Sequence, residues 1–118
     1  MTHITPRELA LWQAHAFDFE LLDVRRAAVR SEHGMKIAGA HWHDPAAWLD
    51  WKDSIGSQRP VVVYCAKGHE IGHGLTATLC ALGVDARCLE GGMQGWLQEG
   101  LPTVPLGTPE DSTRRTTR

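Results

Sequence analysis

The sequence predicts an α/β fold, with a mostly parallel sheet between helices. Three observations carry this. The run Val61-Val62-Val63-Tyr64 is unbroken and apolar, as in a strand covered on both faces. Short strand-forming runs alternate with segments of helical spacing along the chain, the pattern of βαβ units. And 118 residues make one domain, which buries roughly two-thirds of its unfolded surface and needs neither disulfide nor structural metal to fold.

The elements follow in order. A helix is predicted over 6–16, with Thr5 as N-cap, Pro6 at the first helical position and Glu8 in the first turn; Leu9, Trp12 and Ala16 would share a face. Residues 19–24 read as a strand, with Leu21, Leu22 and Val24 buried and with Asp23 and Arg25 closing it with charge. A short helix over 27–32 and a turn between Gly34 and Gly39 lead to a strand around Ala40-His41-Trp42. Asp44 caps a helix opened by Pro45, in which Trp48, Trp51 and Ile55 would bury two indoles. After a loop, 60–64 form the clearest strand. Ile71, Leu75, Leu79 and Leu82 repeat at helical spacing, and Gly83 fits the position just past the end of that helix. A second buried strand is expected over 84–89, a turn at Gly91-Gly92 and a last helix over 93–98. The domain is placed at 1–106. Residues 107–118 carry almost no apolar side chain and read as a flexible polar tail.

Composition narrows the function. A formal net charge of -2 gives no nucleic-acid or anionic-membrane footprint. No apolar run approaches a membrane span, and the first residues lack a charged segment followed by an apolar core. A cytoplasmic protein is expected. Cys65, Cys80 and Cys88 form no Cys-x-x-Cys pair, and their odd number argues against a disulfide framework. Cys80 and Cys88 fit small apolar fillers, and the tryptophans read as packing, with Trp42 or Trp48 available as a pocket wall.

Chemistry points to the stretch 61–74. Cys65 ends the clearest strand, Gly68 lies in the following loop, and a helix comes next. A thiol reacts as thiolate, a form favoured by helix N-termini, backbone N–H groups and nearby cations such as Lys67. The same stretch spells His69-Glu70-Ile71-Gly72-His73, the zinc-protease pattern. That pattern needs a helix reaching back before the first histidine and a third ligand. Thr76 and Leu79 stand where the long form of the motif has Gly and His, and the strand ending at Cys65 leaves the helix no room. No metal and no cofactor are expected.

Five blocks occur in one order: Leu21-Leu22-Asp23-Val24-Arg25, Ile37-Ala38-Gly39-Ala40, the run 61–68, Leu82-Gly83-Val84, and Leu89-Glu90-Gly91-Gly92-Met93-Gln94-Gly95-Trp96. In them the chain resembles the single-domain rhodaneses. The resemblance implies a small three-layer fold around a five-stranded, mostly parallel sheet. It implies a sulfurtransferase that takes a sulfane sulfur from thiosulfate or another persulfide donor, holds it on Cys65, and passes it to a thiol, a cyanide-like acceptor or a protein. Ala66, Lys67, Gly68, His69, Glu70 and Ile71 would form the anion-binding loop, with Asp23 and Arg25 in support. One departure stands out: many relatives hold arginine where this chain has Glu70, which sets a carboxylate near an anionic donor. Either Lys67 and the loop amides then bind the anion, or the donor is a less charged persulfide. The alternatives are a non-catalytic or sulfur-carrier module, a zinc-dependent hydrolase, and a phosphate or arsenate enzyme; the last would want an arginine in the loop.

Overall fold

The computed structural model describes residues 2–67 and 70–108, with Glu70 described in its backbone only. Five parallel strands form the central sheet. β1 (His3–Ile4), β2 (Glu20–Asp23), β4 (His41–Trp42), β5 (Val61–Tyr64) and β6 (Ala86–Leu89) lie in the order β1-β6-β5-β2-β4. The apolar run is therefore the middle strand, and all four of its residues are buried. Its register sets Asp23 beside Tyr64 and Val63 beside Cys88.

Alternation along the strands separates two apolar layers. Leu21, Val62, Tyr64 and Leu89 face α1 (Pro6–Ala14) and α5 (Gly92–Gln98), which contribute Leu9, Met93 and Trp96. Leu22, Val61, Val63, Cys65 and Ala86 face the other way, toward Leu79 of α4 (Glu70–Ala81) and the half-buried Trp48 and Trp51. The predicted α/β class and parallel sheet are observed.

Helix α1 is capped reciprocally. Glu8 N–H donates to Thr5 Oγ1 at 3.1 Å, and Thr5 N–H donates to Glu8 Oε1 at 2.9 Å. It ends at Ala14, short of the predicted 16, because Ala16 takes a left-handed φ of 53° and turns the chain away. Ala16 is exposed, so only Leu9 and Trp12 of the predicted face pack inward. α2 (Ala27–His33) closes on Gly34 in the left-handed region.

The tryptophan segment is not one helix. It runs as a 3₁₀ turn (Pro45–Ala47), a single α turn, α3 (Trp48–Trp51), and a second 3₁₀ turn (Lys52–Ser54). Trp51 Nε1 donates to Asp44 O at 2.8 Å, tying the indole to the start of the segment. The two indoles meet edge to face at 5.2 Å and stay half-buried.

Three two-residue strands escaped the periodicity reading. One is β1; the others are β3 (Met35–Lys36) and β7 (Val104–Pro105), an antiparallel pair. β7 lies inside the predicted domain limit of 106. Residues 109–118 of the predicted tail lie outside the described residues. Among the described residues no helix is long and apolar enough to cross a membrane.

Candidate active site

Cys65 follows β5 directly, at the carboxyl end of the middle strand, where open α/β sheets place their ligands. Its residue is 5% exposed. Two backbone hydrogen bonds fix the chain here: Met93 N–H donates to Cys65 O at 2.8 Å and Gln94 N–H to Ala66 O at 2.9 Å. The orphan amides of the first turn of α5 are thereby satisfied by the carbonyls of the cysteine loop. The glycines of that block permit the approach. Gly91 has φ 75° and Gly92 φ 56°, and a Cβ on Gly95 would fall 2.8 Å from Glu90 O. From sequence these residues read only as a turn before a helix.

A cleft of about 470 Å³ opens over the thiol. Cys65, Ala66, Lys67 and Ile71 line one side, and Arg25, Arg26 and Val29 the other. It thus lies beyond the carboxyl ends of two paired strands, β5 and β2. Three cations line it, and they differ. Arg25 is buried and committed to Asp23. Arg26 and Lys67 are exposed, and neither side chain makes an ion pair or hydrogen bond among the described residues. The local field favours an anion.

Arg25 anchors the cleft from below. Its Nε donates to Asp23 Oδ1 at 2.9 Å and its Nη2 to Asp23 Oδ2 at 2.7 Å, a bidentate pair. Nη2 also donates to Met35 O at 2.9 Å, and Nη1 lies 3.0 Å from His33 Nδ1. Burial opposes the Arg25 charge, but the hydrogen bonds and attraction of Asp23 outweigh it and raise its affinity for the proton. The guanidinium lies 5.5 Å from the Tyr64 ring centre. Burial, aided by the Asp23 charge, pushes the Tyr64 phenol well above its ordinary range, although Arg25 and the Ile37 amide oppose this. The charge that closes the strand is thus not in solvent but paired in the interior. Asp23 and Arg25 are both buried.

The other thiols differ from Cys65. Cys88 is 1% exposed on β6, and burial, with Cys65 nearby, pushes its thiol up to about 11. That direction disfavours the reactive thiolate at neutral pH. Cys80 is half-buried on α4, with its Sγ 3.3 Å from Ala86 O. Gly72 separates the two buried sulfurs: a Cβ there would lie 3.1 Å from Cys88 Sγ and 3.2 Å from Cys65 Sγ. Gly74, two residues on, has nothing within 4 Å of such a Cβ. Gly74→Ala is therefore expected to stabilise the fold by about 0.5–1 kcal/mol, a helix-propensity gain. Gly72→Ala is expected to lose that gain and about 1 kcal/mol more by overpacking against two sulfurs. Urea unfolding of both variants checks this; equal midpoints would show that Gly72 is not space-limited.

Of the residues predicted for the site, Cys65, Ala66, Lys67, Ile71 and Arg25 line one cleft, and Asp23 lies behind them. Gly68, His69 and the side chain of Glu70 lie outside the described residues. Arg26 and Val29 were missed; the Arg25-Arg26 doublet beside the first block was the available signal. Of the zinc-protease pattern, His69 and the side chain of Glu70 lie outside the described residues, and the His73 ring packs edge-on against His3 at 5.4 Å. Among the described residues no group of three ligating side chains converges.

The rhodanese-like domain model matches residues 5–99. The chain belongs to the rhodanese-like domain family. Solved structures agree in fold. A rhodanese-related protein from Thermoplasma volcanium superposes with TM-score 0.76 at 23% identity, over 88% of this chain and 98% of its own. A rhodanese-like domain protein from Staphylococcus aureus gives 0.74 at 27%, over 86% and 97%. A thiosulfate sulfurtransferase from Pseudomonas aeruginosa gives 0.71 at 26%, over 88% of this chain but 19% of its own. No curated protein matches the sequence. The family includes sulfurtransferases, and the rhodanese-like core here holds a cysteine at the end of its middle strand.

Proposed function

We propose that this rhodanese-like protein is a sulfurtransferase that carries a sulfane sulfur as a persulfide on Cys65. One observation carries the reading: the thiol lies at the carboxyl end of the middle parallel strand, in a cleft lined by Lys67, Arg25 and Arg26. Likeness to the Pseudomonas thiosulfate sulfurtransferase supports it. With thiosulfate, the Cys65 thiolate attacks the outer sulfur. A new S–S bond forms as the old one breaks, and sulfite leaves with the electron pair. An acceptor thiolate, a cyanide-like anion or a protein thiol then takes the sulfur and restores Cys65. The cleft cations offset the charge that donor and thiolate bring together. The hydrogen bonds to the carbonyls of Cys65 and Ala66 fix the backbone at the thiol.

Glu70 stands where many relatives hold arginine. A carboxylate at that position disfavours an anionic donor, so Glu70→Arg is expected to raise kcat/KM with thiosulfate about tenfold, the effect of reversing one charge. Steady-state transfer from thiosulfate to cyanide measures it. An unchanged kcat/KM would remove the repulsion argument.

A further inference from the structure

Behind Cys65 lies a cluster that sulfur transfer does not use. Val63 pairs with Cys88 across β5 and β6, so Cys88 shares the sheet face of Val63 and Cys65, the face covered by α4. Gly72 of α4 lies over both sulfurs. The position of its missing Cβ is 3.1 Å from Cys88 Sγ and 3.2 Å from Cys65 Sγ. One glycine thus touches two thiols from neighbouring strands. Thr76 stands one turn further along α4. It is buried, and its Oγ1 has no hydrogen-bond partner among the described residues. That hydroxyl opposes the upward push on the Cys88 thiol, so it favours the anion of that sulfur. An apolar filler at position 88 would need no such hydroxyl beside it.

We propose that Cys88 is a resolving thiol: when a hydroperoxide oxidises Cys65, Cys88 closes on it as a disulfide and protects it from further oxidation. This goes beyond sulfur transfer and does not depend on it. The Cys65 thiolate attacks the terminal oxygen of ROOH. The O–O bond breaks, and the alkoxide leaves with the electron pair and takes a proton to become ROH. Cys65 is then a sulfenic acid. The Cys88 thiolate attacks Cys65 Sγ, the S–O bond breaks, and hydroxide leaves and takes up the proton that Cys88 has shed. Two thiols are oxidised to one disulfide, and the hydroperoxide is reduced to alcohol and water. Cys65 lies past the last ladder residue of β5, so the loop rather than the sheet moves as the bridge closes. With the Cys88 thiol pushed up to about 11, roughly one in ten thousand is ionised at neutral pH. Adjacency offsets this, since well-oriented neighbouring groups reach effective concentrations of roughly 10⁵–10⁸ M. A thiolate of high proton affinity is also the stronger nucleophile.

Hydrogen peroxide treatment of the full chain, followed by alkylation and peptide mapping, tests the proposal. The expected product is a bridge between the peptides of Cys65 and Cys88, with Cys80 alkylated, and dithiothreitol restores both thiols. In Cys88→Ser, a change of similar size, Cys65 is expected to advance to the sulfinic acid, which dithiothreitol does not reverse. Gly72→Ala sets a methyl group against both sulfurs and is expected to slow bridging about tenfold, the rate equivalent of a modest overpacking cost. A wild-type chain whose Cys65 stays unoxidised, or reaches the sulfinic acid as fast as in Cys88→Ser, overturns the proposal. So does a bridge to Cys80 or between two chains. A bridge at Cys88 in a chain that takes no sulfur from any donor supports the proposal and removes the transfer reading alone.

Discussion

Asp23→Ala is expected to lower the stability of the fold by about 3–5 kcal/mol, the cost of stranding a buried charge. Asp23 supplies both oxygens of the bidentate pair with Arg25, and both side chains are 1% exposed or less. Without the carboxylate, the buried guanidinium keeps Met35 O at 2.9 Å and His33 Nδ1 at 3.0 Å but has no anion to offset its charge. A surface pair of the same length would contribute about 0–1 kcal/mol, so burial decides the outcome. Arg30, 3.4 Å from Asp23, would lose its partner as well. Urea unfolding gives the value from the midpoint at constant slope. A loss under 1 kcal/mol would show that Arg25 finds water or another anion. Replacing both partners with apolar residues of similar volume is expected to recover much of the loss. Since Arg25 also lines the cleft, Asp23→Ala should weaken donor binding even where the chain stays folded.

The second large effect is chemical. Cys65→Ser is expected to reduce sulfur transfer to the uncatalysed background, because an alkoxide neither forms at neutral pH nor accepts a sulfane sulfur as a thiolate does. Cys80→Ser is expected to retain activity, since Cys80 lies on α4 and does not line the cleft. Discontinuous thiocyanate or sulfide assays compare the variants. Retained transfer in Cys65→Ser would move the chemistry to another thiol. Cys88 is the nearest alternative, but its buried thiol stays protonated well above neutral pH.

What was legible in the sequence follows physical scale. The run 61–64 and the repeat of Ile71, Leu75 and Leu79 are long enough to show a period, and both elements lie where expected. The position of Cys65 at a strand end was legible because the apolar run stops there. The two-residue strands carry no period, so only tertiary pairing reveals them. Ala16 looked helical by spacing, but a left-handed φ ended the helix first. The Asp23–Arg25 pair looked like strand-end charge because sequence cannot show that each supplies the other's buried partner. Likewise, Gly91, Gly92 and Gly95 could be read as a turn, but not as the device that brings the amides of Met93 and Gln94 to the cysteine loop. Arg26 was hidden beside Arg25: adjacent side chains on one strand end diverge, one into the core and one to the cleft rim.

The central claim is that Cys65 takes up a sulfane sulfur. Intact-mass and peptide spectrometry of the chain after incubation with thiosulfate, and separately with glutathione persulfide, tests it directly. The expected result is a gain of one sulfur atom, located on the peptide containing Cys65, absent from Cys65→Ser and reversed by cyanide. No gain with either donor, or a gain located on Cys80 or Cys88, would contradict it.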